Sequence, residues 1–391
     1  MRASQLLVLA TVLLVADRAS AQSHVDVVPS VTFANIYDNN LFVDTQSSAG
    51  NLLRVRPGID LALTTPRLNL GTFWTFDAQH SNHPDLNSFD ARRHGDFTLG
   101  YRTTSATTVG FTAVYDRTDT PGEINLVTGI LSPRLQAQRV EVSPNVTHRL
   151  GPRANVTASY DWTSESPAEI DIEGQQMHVA RALVAREQTT RTMLTFGYLG
   201  RHFVPELGDN NSSHAVMGGF EHDFGPSTRV SFQAGPRVST YRGLAAEVLA
   251  GFTRATRLLN MAFDYWHGET IVLGINGPVQ IDNGTATFTW PIRQRFEISS
   301  LSSASTITTL RSERLTNYRQ GVVGAWNPGK WYSVAADYGI DYQVGVIRHS
   351  IFFDQNVTRH VFRVSLTVAP RLSRTIKSSD DPAARVKGVS Q

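Results

Sequence analysis

Ten charged residues occupy equivalent positions in segments where polar and apolar residues alternate. They are Arg54, Arg56, Asp77, Asp116, Arg139, Asp161, Arg237, Asp264, Asp337 and Arg363. If these segments are strands around a lumen, closely spaced charges of both signs would create a transverse field that orients and filters charged solutes. The alternative is a set of solvated wall residues in weak ion pairs, each worth no more than about 1 kcal/mol. The sequence favours neither interpretation over the other.

The segments that carry these charges read as β-hairpins, most clearly in residues 52–80. In the second half of this stretch Trp74 and Phe76 fall on one face, whereas Thr75 and Asp77 fall on the other. This period of two residues is typical of a strand that lies between two different environments. An isolated hairpin is only marginally stable in water, so its neighbours must complete a larger sheet.

Comparable hairpins recur along the whole chain. A first strand at 27–38, eight hairpins and a last strand at 358–369 make about eighteen strands. Sixteen would remain if the weaker segments 176–187 and 293–301 were not strands; the second of these follows a predicted turn at 290–292. Eighteen alternating strands exceed one soluble sandwich, and an even number is typical of bacterial membrane barrels. The sequence therefore predicts an all-β transmembrane antiparallel β-barrel with short periplasmic turns and long extracellular loops.

The N-terminus differs from the rest of the chain. Arg2 precedes the apolar run Leu6–Ala16, and Ala19–Ala21 has the small-residue form of a cleavage site. We expect residues 1–21 to be a signal peptide. The barrel is predicted to occupy 22–369, and 370–391 to be a flexible polar tail.

Composition excludes several classes of protein. The chain of 391 residues contains no cysteine, so no disulfide framework can stabilise it, and its formal net charge is only +2. Near-neutrality gives no reason to expect a nucleic-acid partner. After the N-terminal segment no apolar run reaches the roughly 18 residues of a membrane helix.

Aromatic residues on the apolar face cluster near the predicted strand ends. Trp74, Tyr115, Trp162 and Tyr265 lie toward the long loops, and Trp290, Trp326 and Trp331 lie toward the short turns. Two aromatic girdles at the membrane interfaces are typical of outer-membrane barrels. The alternative is an ordinary hydrophobic core. The girdle interpretation implies contact with outer-membrane lipid and lipopolysaccharide.

No local pattern marks an active site. The twelve histidines are scattered, and no metal-ligand spacing, phosphate-binding glycine loop or Gly-x-Ser-x-Gly turn occurs. We therefore predict no metal, no cofactor and no enzyme activity. A phospholipase-type Ser/His pair in the barrel wall stays an alternative, because such residues meet only in the fold.

Short motifs at the first strands resemble a known family. Pro29–Phe33 leads into Tyr37–Phe42, and an arginine-rich strand follows at Leu53–Gly58. These motifs resemble those of an outer-membrane β-barrel porin family of Gram-negative bacteria, many members of which are associated with exopolysaccharide systems. The resemblance implies a bacterial outer-membrane location and recognition by the outer-membrane insertion machinery. The chain departs from the usual pattern at its end, because Phe362–Leu366 is not terminal.

Together these features predict a porin-like channel for the passive passage or export of small hydrophilic solutes or polysaccharide. A non-conducting barrel that acts as a surface-binding or structural protein is the alternative, and a barrel-embedded hydrolase is a weaker one.

Overall fold

The alternating segments form strands along almost the whole chain. The computed structural model describes residues 23–43, 47–124, 128–167, 174–347 and 356–376. The predicted signal peptide at 1–21 and the end of the predicted tail from 377 lie outside the described residues. No helix of the described part of the chain is long and apolar enough to cross a membrane.

The described residues form nineteen strands, with two short 3-10 helices at Pro84–Leu86 and Pro121–Glu123. The strands are β1 Ser23–Asp38, β2 Gly50–Thr64, β3 Leu68–Ser81, β4 Ser88–Arg102, β5 Thr107–Thr118, β6 Ala137–Gly151, β7 Ala154–Pro167, β8 Gln175–Thr189, β9 Thr192–Pro205, β10 Asn211–Gly225, β11 Thr228–Ser239, β12 Gly243–Ala255, β13 Asn260–Val272, β14 Ile275–Arg293, β15 Phe296–Thr308, β16 Arg314–Trp326, β17 Tyr332–Gly345, β18 Val357–Val368 and β19 Leu372–Ile376.

The first and last long strands close the sheet into a barrel. Each strand pairs antiparallel with the next, and β1 pairs with β18 from Val31 opposite Val368 to Asp38 opposite Val361. Closure leaves no edge between the first and last strands, which removes the unpaired backbone groups that an open sheet would expose to lipid. The predicted barrel of eighteen antiparallel strands is confirmed, because the two weaker segments are the full strands β8 and β15.

The short strand β19 continues β18 along the same edge of β1. Val31 pairs with Val368 and Val27 with Leu372, so one register holds across the break at 369–371. The sheet thus extends past residue 369, where the sequence analysis had placed the start of a flexible tail.

The two rims of the barrel differ in their connections. The turn rim carries the turns within the predicted hairpins, such as 152–153 and 226–227. The loop rim carries the other connections, of which 39–49, 119–136 and 346–356 are the longest. In outer-membrane barrels the short turns lie on the periplasmic side and the longer loops on the extracellular side.

Several loop-rim connections are shorter than the sequence predicted. The alternation had ended two strands at 267 and 282, but β13 and β14 continue until only Leu273 and Gly274 separate them. Val279 and Ile281 lie on the lumen face there and are fully buried. On this part of β14 the order of the faces is reversed, because Gln280 and Asp282 have outer-face parity, so the pattern of polar residues inward no longer marks the strand. The turn predicted at 290–292 is also wrong, since β14 runs to Arg293.

The outer face is apolar around the barrel. Phe263 packs edge-on against Phe288 on the adjacent strand, with ring centroids 5.4 Å apart, and its other neighbour Phe252 is 5.8 Å away. The predicted girdle residues lie on this face or at its ends: Trp74, Tyr265, Trp290, Trp326 and Trp331 are each at least 36% exposed. Such a surface is stable only when lipid covers it.

The lumen is filled toward the loop rim and open toward the turn rim. On β2, Leu52 and Arg54 are buried, whereas Asp60 on the same face is exposed. On β12, Glu247 is buried, whereas Leu249 two residues closer to the turn rim is 38% exposed. Loop residues therefore occupy the extracellular half of the lumen.

Candidate functional site in the lumen

The described parts of the longest loop, 119–124 and 128–136, fold into the barrel instead of standing above it. Its residue Ile130 is fully buried in an apolar cluster with Val279, Ile281, Ile307 and Leu315. These four residues belong to β14, β15 and β16, whereas the loop starts at β5. In a ring of eighteen strands β14 lies diametrically opposite β5. The loop therefore spans the lumen from wall to wall.

Buried hydrogen bonds hold the loop backbone against the far wall. Asn317 donates from Nδ2 to the carbonyl oxygen of Gly129 at 2.7 Å. The amide of Gln343 accepts a bond from the Leu131 N–H at 2.9 Å and donates to the Leu131 carbonyl at 3.2 Å. Because both wall side chains are almost fully buried, removing either would leave loop backbone groups without partners.

An ion-pair cluster holds the near end of the same loop. Glu123 accepts from Arg54 Nη1 at 2.7 Å and from the Thr118 hydroxyl at 3.0 Å, and its second oxygen lies 3.3 Å from Arg92 Nη1. Burial alone would raise the pKa of Glu123, but the charges of Arg54 and Arg92 and these hydrogen bonds lower it to about 2. The carboxylate is therefore ionised at neutral pH and attached to two different strands.

Arg134 connects loop 119–136 to the first long loop. Its Nε donates to the carbonyl oxygen of Leu41 at 2.6 Å, and its Nη1 donates to Thr120 at 3.1 Å. Burial lowers the pKa of Arg134 to about 10, and the nearby cations Arg54 and Arg359 add to this effect. The guanidinium stays charged at neutral pH and links the two loops near the loop rim of the barrel.

The predicted charged residues near loop 119–136 pair across neighbouring strands. Arg56 binds both oxygens of Asp77 at 2.6 and 2.7 Å. Asp116 lies 2.9 Å from Arg92 and 3.0 Å from His94. Adjacent strands run in opposite directions, and their register places opposite charges side by side on one face.

The other predicted charged residues lie farther around the wall. Arg139 lies 3.3 Å from both Glu165 and Glu141. Elsewhere Asp161 lies 3.0 Å from Arg181, Asp337 lies 2.7 Å from Arg363, and the fully buried Arg237 lies 2.9 Å from Glu247.

The structure thus pairs nine of the ten predicted charges with a neighbour of opposite sign. Asp264 is the exception among them, with no ion pair or hydrogen bond to the described residues. The pairs are local, between side chains on the same wall, and not between opposite walls. The charges form ion pairs, but Arg54, Asp77 and Arg237 are buried and are not the solvated residues of the weak-pair interpretation; pairing reduces the field that unpaired charges would produce across the lumen.

Sequence reasoning missed several charged residues that join the wall strands to one another or to the loops. Glu123 and Arg134 lie in a loop, where no strand alternation marks a side chain as lumen-facing. Arg92, Arg201 and Glu247 lie in predicted strands and have lumen parity, so the same rule that selected Arg54 could have found them.

A histidine–serine contact on the outer face is the feature that bears on the hydrolase alternative, and similar histidine–hydroxyl contacts recur along the described wall. On the outer face His202 Nδ1 lies 2.9 Å from Ser212 Oγ. The same bond joins His178 to Tyr160 and His214 to Tyr198, each at 2.6 Å, and neither tyrosine is part of a nucleophile and base set. No described carboxylate contacts the second ring nitrogen of His202, so nothing orients it as a base. The described residues also contain no group of three side chains suited to a metal ion.

Comparison with known proteins places the fold. No protein-family model and no curated protein matches the chain. Among solved structures, OccAB4 of Acinetobacter baumannii aligns with a TM-score of 0.50 and 10% identity over 90% of this chain and 99% of that chain. OccK8 (OprE) of Pseudomonas aeruginosa aligns with a TM-score of 0.47 and 10% identity over 89% and 98% of the two chains. The ferric enterobactin receptor PfeA of the same organism aligns at 0.45 and 10% over 90% and 81%.

The alignment with OccAB4 covers almost all of both chains. At 10% identity this likeness concerns the fold alone. An eighteen-stranded closed barrel with an apolar exterior is the architecture of bacterial outer-membrane proteins. This chain has the fold of a closed eighteen-stranded outer-membrane β-barrel, and it resides in the bacterial outer membrane.

Proposed function

We propose that this protein is a porin-like channel for hydrophilic solutes and that loop 119–136 controls passage through it. The observation that carries the proposal is the contrast between the two halves of the lumen. Polar and charged side chains line a wall that is open toward the turn rim, and inward-folded loop residues, chiefly those of loop 119–136, fill the other half. A lumen with exposed polar walls is suited to water and dissolved solutes.

The ten charged residues predicted from the sequence are the proposed pore-lining set. Arg56, Asp337 and Arg363 retain exposed side-chain surface and can contact a solute directly. Arg54 and Arg237 are buried and act through the loops and pairs that they hold. Passage or export of a polysaccharide is the finer form of the proposal, and the aromatic girdle is proposed to contact lipid and lipopolysaccharide.

Planar bilayers test the proposal. Purified folded protein should give stepwise conductance, and liposomes that contain it should swell in isosmotic small sugars. Heat-modifiable mobility on a detergent gel verifies the folded state of each sample. Folded protein that gives neither current steps nor swelling, at neutral pH or after loop release by mutation, would refute the channel function.

The filled extracellular half also supports a second candidate. A barrel closed by its own loops could present those loops to a partner or surface without conducting. In that case releasing loop 119–136 would produce no conductance, because the loop would not block a continuous path. The same bilayer measurement therefore decides between the two functions.

A further inference from the structure

A hollow of about 300 Å³ opens on the lumen face of strands β11 to β14. Gly251 lies at its centre, and the absence of a side chain there creates the depression. Two cross-strand rows surround it. One row contains Gln233, Leu249, Trp266 and Asn283, and the next contains Ser231, Gly251 and Asp264. A Cβ at Gly251 would lie 2.6 Å from Ser231 Oγ and 3.4 Å from an oxygen of Asp264, so both side chains lean over the hollow.

The indole of Trp266 forms one wall of the hollow in a fixed position. Its N–H lies 3.3 Å from Glu247 Oε1, to which it donates, and its ring packs against the apolar cluster around Ile281. Glu247 is itself held by Arg201 at 2.6 Å and Arg237 at 2.9 Å. Leu249 lies opposite Trp266 on the next strand and is 38% exposed. The hollow therefore has an ordered aromatic and aliphatic wall.

The polar groups around the hollow have unused hydrogen-bonding capacity. Asp77, Asp116, Asp161 and Asp337 all lie beside an arginine, whereas Asp264 has no such neighbour among the described residues. Asn283 Oδ1 is buried and accepts no hydrogen bond from the described protein atoms. A buried acceptor without a donor is unfavourable unless water or a ligand supplies the bond.

We propose that the hollow binds one pyranose ring of a neutral saccharide, an inference that rests on the proposed function and names its solute class. The apolar face of the ring would stack on Trp266, as flat hydrophobic faces do on aromatic rings. Its hydroxyl groups would donate to Asp264 and Asn283 and accept from the Gln233 amide. Apolar walls with a few convergent polar groups are the usual composition of a small-molecule site, and the volume lies at the low end of the usual range.

The charges near the hollow favour a neutral ligand over a cationic one. Asp264 alone would attract an amine, and Trp266 could contribute a cation–π contact. However, the cluster behind the indole contains Arg201, Arg237 and the nearby Arg242 against only two carboxylates, Glu247 and Glu269, so it has an excess of one positive charge. This excess disfavours a second cation close to the ring.

Ligand-observed saturation-transfer NMR on folded protein in detergent tests the site, with methyl glucoside and a short linear gluco-oligosaccharide as probes. Both should bind, and choline should bind less well. Gly251→Leu should abolish the transfer because it fills the hollow. Asp264→Ala should weaken binding about tenfold or more, since it removes a charged hydrogen-bond acceptor. The matched control is Gly321→Leu, because Gly321 faces the lumen on β16 and an added Cβ meets nothing nearer than 4.0 Å.

Saccharide binding that is equal in the wild type, Gly251→Leu and Asp264→Ala proteins would overturn the assignment, as would tighter binding of choline than of glucoside. If Gly251→Leu does not fold, Asp264→Ala and Trp266→Leu decide the question. Failure of the channel function is distinguishable. Binding without conductance would refute the channel and retain the saccharide site, whereas conductance without binding would refute the site alone.

Discussion

Neutralising Glu123 should release the loop that fills the extracellular half of the lumen. The ordinary pKa of 4.5 falls to about 2 when the carboxylate is bound by Arg54 and Arg92, against the opposing effect of burial. This difference corresponds to about 3 kcal/mol of preference for the docked loop. A tenfold change in an equilibrium constant corresponds to about 1.4 kcal/mol, so Glu123→Gln should shift the docking equilibrium of the loop toward release by about a hundredfold.

The wall should survive this substitution because both arginines keep other partners. Arg92 remains 2.9 Å from Asp116, and Arg54 retains Gln79 at 2.8 Å and Asp77 at 3.8 Å. The substitution therefore removes an attachment of the loop without leaving an isolated buried charge. The far end of the loop stays attached through Ile130 and through the hydrogen bonds of Asn317 and Gln343, and Arg134 still contacts the first long loop.

The pH dependence has a definite sign. The folded pKa of Glu123 is depressed, so its stabilisation of the docked loop is fully present above about pH 4.5 and is lost as the pH falls toward 2. Wild-type open probability should therefore rise over this acidic range. In Glu123→Gln protein the probability should already be high at pH 7 and should change little between pH 4.5 and 2.

Single-channel recording in planar bilayers measures both effects. The matched control is Glu141→Gln, since Glu141 lies 3.3 Å from Arg139 on the wall and does not contact the loop. This control should behave as the wild type does near pH 7. If Glu123→Gln and wild-type channels show the same open probability and the same acid response, Glu123 does not hold the gate.

Three further predictions concern packing, burial and selectivity. Ile130→Ala should cost the docked loop about 2–5 kcal/mol by leaving a cavity, and it should raise open probability at pH 7 as well. Arg237→Met should destabilise the barrel by about 3–5 kcal/mol, because the buried carboxylates of Glu247 and Glu269 lose their partner. Arg93→Ala, which breaks an exposed ion pair with Asp90, should cost at most about 1 kcal/mol. Urea unfolding in liposomes measures the free energy of unfolding of both variants. Arg56→Gln should remove one of the two arginines beside Asp77, leaving Arg54 at 3.8 Å, and so lower the net charge of the lumen by one and shift the reversal potential toward cation selectivity; an unchanged potential would exclude this pair from the ion path.

Much of the barrel was predictable because strand structure is a local property. The alternation around Trp74 and Asp77 identified the lipid and lumen faces, and the number of such segments identified a closed barrel. Prediction failed between 268 and 281, where Val279 and Ile281 are apolar on the lumen face. The alternation depends on a wet lumen, and at that level the lumen is filled by protein.

The sequence by itself determined which residues face the lumen and which face lipid, because in a strand this choice depends only on parity. The tertiary structure decided what the lumen residues do. Ring closure brings β14 opposite β5 and Gln343 to Leu131, contacts between residues far apart in sequence that no local pattern encodes. The same closure paired most of the predicted charges on their own wall and left Asp264 at the edge of the hollow around Gly251.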